Sequence, residues 1–167
     1  MARIRTSTSA RPARRLQRGA FAALAGAGIV LAPAVAEASN AQAATTTAAA
    51  ASSATAQNAV NVALAQVGKP YRYGAAGPDA FDCSGLTSFA YKAAGINLPR
   101  TTSGQRSAGT PVSRGALQPG DLVFFYGGGH ASIYVGNNQV VHAATAGKPV
   151  NVINMDYMPY SSARRVA

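Results

Sequence analysis

The sequence contains a single cysteine, Cys83, placed where the chain could make a thiol reactive. Asp82 comes directly before it, and a carboxylate at that position can accept hydrogen bonds from the free N–H groups of a first helical turn. Apolar residues then recur at helical spacing as far as Gly95, a natural helix stop. The pattern predicts Cys83 on the first turn of a helix, where the helix dipole favours the thiolate, the nucleophilic form of cysteine.

The only two histidines, His130 and His142, are the candidate bases, because imidazole titrates near neutral pH. They fall on neighbouring strands of a predicted hairpin. A three-residue loop at 136–138 would put both on one face of the hairpin, with Ser132 opposite His142. A two-residue loop at 137–138 would put them on opposite faces, since a slip of one residue reverses every side chain. A shared site therefore requires the odd loop or a bulge.

With both histidines on one face, a nucleophile, a base and an orienting group could be combined. His130 would take the proton of Cys83, and His142 would hold the far ring nitrogen of His130 by a hydrogen bond. The Cys83 N–H could help to bind the oxyanion. Other interpretations stay open here, since Cys83 can be a packed thiol, His130 a turn residue and His142 a core histidine, or all three can bind a metal ion.

The charge of the chain is uneven. The net charge is +10 over 167 residues, and six arginines precede the first acidic residue. From Ser39 onward there are nine Lys and Arg against four Asp, a net charge of +5 without any Lys/Arg run. Such a balance disfavours a nucleic-acid partner and fits weak attraction to an anionic polymer or surface.

Residues 1–38 have the layout of a secretory signal peptide, with an arginine-rich start, an apolar run at 20–36 and small-x-small cleavage sites. This predicts a secreted, extracellular protein, exported by either the Sec or the twin-arginine route. A retained membrane anchor is the alternative, although the run is short and contains glycine. Cys83 lies too far beyond the cleavage site to carry a lipid, and a single cysteine cannot close an intramolecular disulfide. An inert thiol, an intermolecular bridge or a nucleophile remains.

Residues 39–55 form a low-complexity linker without aromatic or large aliphatic side chains, and the folded domain is expected at 56–167. Within that domain helices come first and an antiparallel sheet follows, which is an α+β layout. The predicted helices cover 56–67, 83–94 and 102–108. The predicted strands cover 122–126, 130–135, 139–144 and 149–153, with a short strand starting at Val112.

From about Ala59 to Arg165 the sequence resembles the NlpC-type cysteine peptidases of bacterial cell walls. Six ordered segments carry the resemblance: Gly68–Gly74, Phe81–Leu86, Leu98–Thr102 with Gln105, Pro119–Phe125, His130–Gly136 and Val141–Ala143. The resemblance implies an α+β, papain-like fold in which N-terminal helices pack on a small antiparallel sheet. It also implies cleavage of an amide bond in peptidoglycan stem peptides, typically between D-glutamate and the following diamino acid.

The resemblance further implies site residues. The catalytic triad would be Cys83, His130 and His142, and the substrate-binding residues in the cleft would be Tyr71, Asp82 and Ser84. No metal and no cofactor is required. The sequence departs from the family at Tyr73, where Trp is common, and at Ala131-Ser132, where Val-Gly is common; both positions could alter the substrate cleft.

The expected partners are peptidoglycan stem peptides, with no nucleic acid and no stable membrane association after signal cleavage, and the expected state is a monomer. No wall-anchoring repeat is visible, so cell-wall association would rest on charge or diffusion. Two alternatives remain open: an amidase or acyltransferase with the same triad, and a non-catalytic cell-wall-binding module.

Overall fold

A computed structural model of the chain describes residues 52–167. The described part is an α+β unit in which helices precede an antiparallel sheet, as predicted. The predicted signal peptide at 1–38 and most of the predicted linker at 39–55 lie outside the described residues. Within residues 52–167 no helix is both long enough and apolar enough to cross a membrane.

Three α-helices and six strands form this part of the chain. Helix α1 covers 52–64, α2 covers Cys83–Ala93 and α3 covers Thr102–Arg106. The strands are β1 Thr110–Val112, β2 Leu122–Phe125, β3 His130–Gly136, β4 Gln139–His142, β5 Asn151–Asn154 and β6 Tyr160–Arg165. Short 3₁₀ turns lie at Arg114–Ala116, Tyr126–Gly128 and Met155–Tyr157.

The strands form one antiparallel sheet in the order β1-β6-β2-β3-β4-β5. Strand β6 is the element that the sequence pattern does not predict, yet it lies inside the sheet between β1 and β2. Of its six residues only Ala163 is buried, so it lacks the apolar run typical of an interior strand. Its partners in the sheet, rather than its own sequence, therefore keep it extended.

The sheet has an apolar layer on each face. On one face Ala131, Ile133, Val141 and Ala143 pack with residues of α1 and α2. The other face carries a smaller cluster around Val123, Phe125, Val140, Met155, Met158 and Ala163. The two histidines have the parity of this second face, and both lie close to the ends of their strands.

Helix α1 is displaced toward the N-terminus relative to the predicted 56–67. It includes residues 52–55, so the predicted boundary between linker and domain falls inside a helix. The buried face consists of Ala59, Val60 and Ala63, whereas Leu64 is 37% exposed. The helix ends early because the following turn is held to another part of the fold, by a 2.8 Å hydrogen bond from the Gly68 N–H to the Val150 carbonyl.

Candidate active site

Helix α2 begins where the sequence predicts, with Cys83 as its first residue and Asp82 as its N-cap. The Asp82 carboxylate accepts a 2.7 Å hydrogen bond from the Gly85 N–H, which is the usual capping contact. Gly85 has no room for a side chain, since a Cβ there would collide with the carbonyl oxygen of Ala75. The loop that contains Ala75 therefore packs directly on the first turn of α2 and fixes the position of the thiol.

The Cys83 thiol is partly exposed and lines a cleft of about 550 Å³, which we call the thiol cleft. Its Sγ lies 3.7 Å from Thr102 Oγ1, within hydrogen-bond distance for sulfur. The cleft is lined by Tyr71, Tyr73, Gly74, Asp82, Cys83, Ser84, Arg100, Thr101, Thr102 and Gly129. The structure thus brings the three predicted substrate-binding residues together around Cys83, and their role in binding stays a prediction.

Asp82 connects the cap to the wall of the thiol cleft. It is only 7% exposed, and Arg100 binds both of its carboxylate oxygens, Nη2 to Oδ2 at 2.7 Å and Nη1 to Oδ1 at 3.0 Å. Arg100 Nη1 also donates to Ser84 Oγ at 3.0 Å. Burial acts to raise the pKa of Asp82, but hydrogen bonds from Arg100, Gly85 and Gly74 outweigh it, and the pKa is lowered. The carboxylate is therefore ionised at neutral pH.

Tyr71 keeps its phenolic proton in the thiol cleft. Its pKa is raised, first by burial and then by the proximity of Cys83 and Asp82. At neutral pH the hydroxyl can therefore both donate and accept a hydrogen bond.

The hairpin that carries the histidines contains a bulge. Tyr134 pairs directly with Val140, but the register then shifts so that Gly136 pairs with Gln139. Val135 is the extra residue on the longer strand. Of the two loops that the sequence leaves open, the structure has the two-residue loop at 137–138, and the bulge keeps both histidines on one face of the hairpin.

The turn itself is formed by Asn137 and Asn138, both in the left-handed conformation with φ of 52° and 58°. This is the backbone of a type I′ hairpin turn, and asparagine is one of the few residues that adopt it readily. The two asparagines therefore favour the two-residue turn by their residue type, whereas no sequence signal indicates the bulge at Val135.

The two imidazole rings are in direct contact. His130 Nε2 lies 2.9 Å from His142 Nδ1, and the ring planes meet at 83°. Both side chains are shielded, with His130 9% and His142 3% exposed. The contact leaves Nδ1 of His130 free to serve another partner.

Burial keeps the imidazole rings of His130 and His142 uncharged at neutral pH. It lowers the pKa of His130 to about 4, with the adjacent His142 as the second cause. Burial also lowers the pKa of His142, while a hydrogen bond with the Asn151 side chain opposes this shift. Each ring is therefore neutral at neutral pH and has one nitrogen that donates and one that accepts.

A second cleft, of about 540 Å³, borders the histidine pair, and we call it the histidine cleft. It is lined by Tyr126, Gly129, His130, His142, Ala144, Thr145, Lys148, Asn151, Ile153 and Met158. Gly129 lines both clefts and immediately precedes His130. The thiol and the imidazole pair therefore open onto clefts that meet at one residue.

The turn before His130 is held from two sides. Tyr126 adopts a left-handed φ of 52°, rare for a residue of its size, and its ring centre lies 6.4 Å from that of His130. Gly128 is covered by the guanidinium of Arg106, and a Cβ at this glycine would collide with it. Helix α3 thereby supports the backbone that presents His130.

Four of the cleft residues to which the sequence assigns no role are Arg100, Thr102, Tyr126 and Lys148. Arg100 and Thr102 lie in a segment that carries the family resemblance, so a signal for them was present. The sequence pattern predicts Tyr126 as the last residue of the buried strand 122–126, whereas the strand ends at Phe125 and Tyr126 begins a 3₁₀ turn. Lys148 has no pattern around it, and only the path of the loop between β4 and β5 brings it to the cleft.

The metal alternative finds no support in the described part of the chain. Within residues 52–167 no group of three or more His, Cys, Asp or Glu side chains could hold a metal ion. His130 and His142 instead have each other as partners.

Comparison with known proteins defines the class. The model of the NlpC/P60 family matches residues 68–166, which is more than half of the chain and contains the thiol cleft and both histidines. The chain belongs to the NlpC/P60 family.

Curated relatives carry the same domain. A protein of Corynebacterium glutamicum named "Probable endopeptidase" is 48% identical over 112 residues, covering 66% of this chain and 54% of the relative. A "Probable endopeptidase" of Mycobacterium tuberculosis is 47% identical over 108 residues, covering 64% of this chain and 28% of the relative. The chain thus spans about half the length of the first of these relatives, and less of the second.

Solved structures agree on the fold. The structure of NlpC2 from Trichomonas vaginalis superposes with a TM-score of 0.64 at 33% identity, covering 67% of this chain and 47% of that one. The NlpC/p60 domain of the peptidoglycan hydrolase SagA has a TM-score of 0.61 at 33% identity and covers 65% of this chain and 97% of that one. The predicted α+β, papain-like fold is confirmed.

Proposed function

We propose that this protein is a secreted cysteine endopeptidase that hydrolyses peptidoglycan stem peptides at the amide bond between D-glutamate and the following diamino acid. The observation that carries the proposal is the arrangement of a partly exposed Cys83 on a helix N-terminus and a neutral His130–His142 pair, on clefts that meet at Gly129. The relatives named endopeptidase and the peptidoglycan hydrolase of the same fold support the substrate class.

In the proposed mechanism the histidine pair prepares the base. The Nε2–H of His130 donates to Nδ1 of His142, so that Nδ1 of His130 is unprotonated and accepts the Cys83 proton. His142 then carries its own proton on Nε2. Its contact fixes the ring and stabilises the imidazolium that forms on His130.

The thiolate acts as nucleophile. Cys83 is the first residue of α2, and the first backbone N–H groups of a helix have no partner within the helix itself. Sulfur bonds to the amide carbon, and the oxyanion can be bound by the Cys83 N–H. The C–N bond then breaks as the leaving amine takes the proton from His130 Nδ1.

Water completes the cycle. His130 Nδ1 takes a proton from the water, whose oxygen attacks the thioester carbon of the acyl-enzyme. The C–S bond breaks, the acid half of the substrate leaves, and the thiolate with the protonated ring is restored. No step requires an oxidant, a reductant or a cofactor.

Tyr71, Asp82 and Ser84 are proposed to bind the acyl half of the substrate, because they line the same cleft as the nucleophile. Arg100 joins Asp82 and Ser84 into one hydrogen-bonded wall. Such a polar wall suits a short peptide rich in amide and carboxyl groups.

The direct test is digestion of purified peptidoglycan by the mature protein, with mass spectrometry of the fragments. The expected products end in D-glutamate and begin with the free α-amine of the diamino acid. An amidase or acyltransferase would leave a different terminus, and a wall-binding module would sediment with the wall and release nothing. Iodoacetamide should abolish the activity, whereas a chelator should leave it unchanged.

Export and wall location remain part of the proposal. The predicted signal at 1–38 should be absent from protein recovered outside the cell, and the mature protein should be a monomer associated with the wall. N-terminal sequencing of the external protein and its sedimentation with intact walls test this.

A further inference from the structure

The histidine cleft carries an unpaired positive charge at its rim. Lys148 is exposed on the loop between β4 and β5 and lines the cleft together with both histidines. Within residues 52–167 the ion pairs involve three other cations, Arg100, Arg114 and Arg165. The Lys148 ammonium therefore has no acidic partner in the described part of the protein.

The other residues of the histidine cleft also fit a negatively charged ligand. Besides the histidines it offers neutral polar groups on Thr145 and Asn151 and apolar surface on Ile153 and Met158, and it contains no acidic side chain. A carboxylate that enters this cleft would meet one cation and hydrogen-bond donors without like-charge repulsion.

The loop that presents Lys148 is closed by a turn and anchored at its C-terminal end. The Lys148 N–H bonds the Thr145 carbonyl at 3.1 Å, which closes a turn. Two residues later Val150 is fully buried and exchanges backbone hydrogen bonds of 2.8 Å with Gly68 and Lys69. The backbone is thus held beside the cleft, and only the side chain has to move to meet a ligand.

The proposed hydrolysis decides which half of the substrate lies in the histidine cleft. The nucleophile keeps the acyl half, so that half occupies the thiol cleft around Cys83. The amine half receives its proton from His130 and must lie on the histidine side. This step rests on the proposed function.

We propose that the histidine cleft binds the amine half of the substrate and that Lys148 pairs with a free carboxylate on it. The protein would then prefer stem peptides whose diamino-acid half bears a carboxylate over those in which this group is a carboxamide. Lys148 is a specificity-determining residue in this proposal and takes no part in bond breaking.

The test uses two synthetic peptides with the same acyl half and with a leaving half that ends in a carboxylate or in a carboxamide. For the unaltered protein we expect KM to be about tenfold lower for the carboxylate, the effect of one charge-assisted contact, with similar kcat. Lys148→Gln should remove the preference, and Lys148→Glu should reverse it. Lys92→Gln, the same charge change on the exposed side of α2, should retain it.

A binding experiment separates this inference from the proposed function. The two free leaving-half peptides are titrated against Cys83→Ala, with and without Lys148→Gln, at low and high salt. We expect tighter binding of the carboxylate peptide only when Lys148 is present, and weakening of that binding by salt. If Lys148→Gln leaves binding and KM of the carboxylate peptide unchanged, the inference is wrong even though cleavage continues. If neither peptide is cleaved but the binding difference is found, the proposed reaction fails and the carboxylate site stands.

Discussion

His130 Nε2 and His142 Nδ1 lie 2.9 Å apart across the β3–β4 pair. The distance follows from the extra residue Val135, which shifts the register between Tyr134 and Gly136. Without that bulge a two-residue turn would direct the two rings to opposite faces of the hairpin. The contact also decides which nitrogen of His130 is free, and so which nitrogen can serve as the base.

The first prediction concerns the nucleophile. Cys83→Ala and Cys83→Ser should abolish release of peptidoglycan fragments while leaving the fold intact, because Cys83 is partly exposed and neither replacement adds bulk beside Thr102. Fragment release and thermal unfolding should be measured on the same preparations. Full hydrolysis by either variant would rule out the thiol mechanism.

The second prediction separates base from orienter. His130→Ala should lower kcat about a thousandfold, the usual loss for a general base, whereas His142→Ala should cost less, since His130 can still accept the proton. Because both rings are buried, unfolding curves must accompany the rates. The reverse order of effects would exchange the two roles.

The third prediction is acid destabilisation. The pKa of His130 is lowered to about 4 in the folded protein, below the value of about 6.5 expected in the unfolded chain. Between pH 6.5 and pH 4 the unfolded chain binds a proton at His130 more readily than the folded protein does. The contribution of His130 to the free energy of unfolding is therefore fully present above about pH 6.5 and is lost as the pH falls toward about 4. For one proton the limit is about 1.4 kcal/mol per pH unit.

This is checked by measuring the free energy of unfolding in denaturant between pH 7 and pH 4. His130→Gln should show a shallower loss than the unaltered protein, and Lys92→Gln should show the same loss. Asp82 also contributes to acid destabilisation, but at lower pH. Its pKa is lowered in the folded protein, so its contribution to the free energy of unfolding is lost only as the pH falls through that lowered pKa. If the free energy of unfolding falls equally steeply with pH in His130→Gln and in the unaltered protein, His130 is not the source of the acid destabilisation.

The fourth prediction concerns the wall of the thiol cleft. Arg100→Gln removes the hydrogen bonds to Asp82 and Ser84, and it should destabilise the protein by about 1 kcal/mol, since the guanidinium is partly exposed. KM should rise more than kcat falls, because the wall of the thiol cleft loses the hydrogen bonds that order it, whereas Cys83 keeps its position at the start of α2. Arg100→Lys keeps the charge without the bidentate geometry and should recover only part of the loss.

Local chemistry explains which predictions were confirmed. A carboxylate before a helical apolar pattern is enough to define the start of α2, and Cys83 is its first residue. The buried run of β2 needs no partner to be recognised, because all four of its residues are apolar and buried. By contrast, β6 has a single buried residue and is extended only because β1 and β2 flank it.

The sequence alone determined the family and singled out Cys83, His130 and His142 as the candidate triad, because residue types and their spacing within short segments are enough for both. Tertiary structure decided what those residues do to one another. The bulge at Val135, the two-sided hold of Arg100 on Asp82 and the arrival of Lys148 at the histidine cleft all depend on contacts between segments far apart in the chain. Such contacts are set by packing of the whole domain, and no local pattern records them.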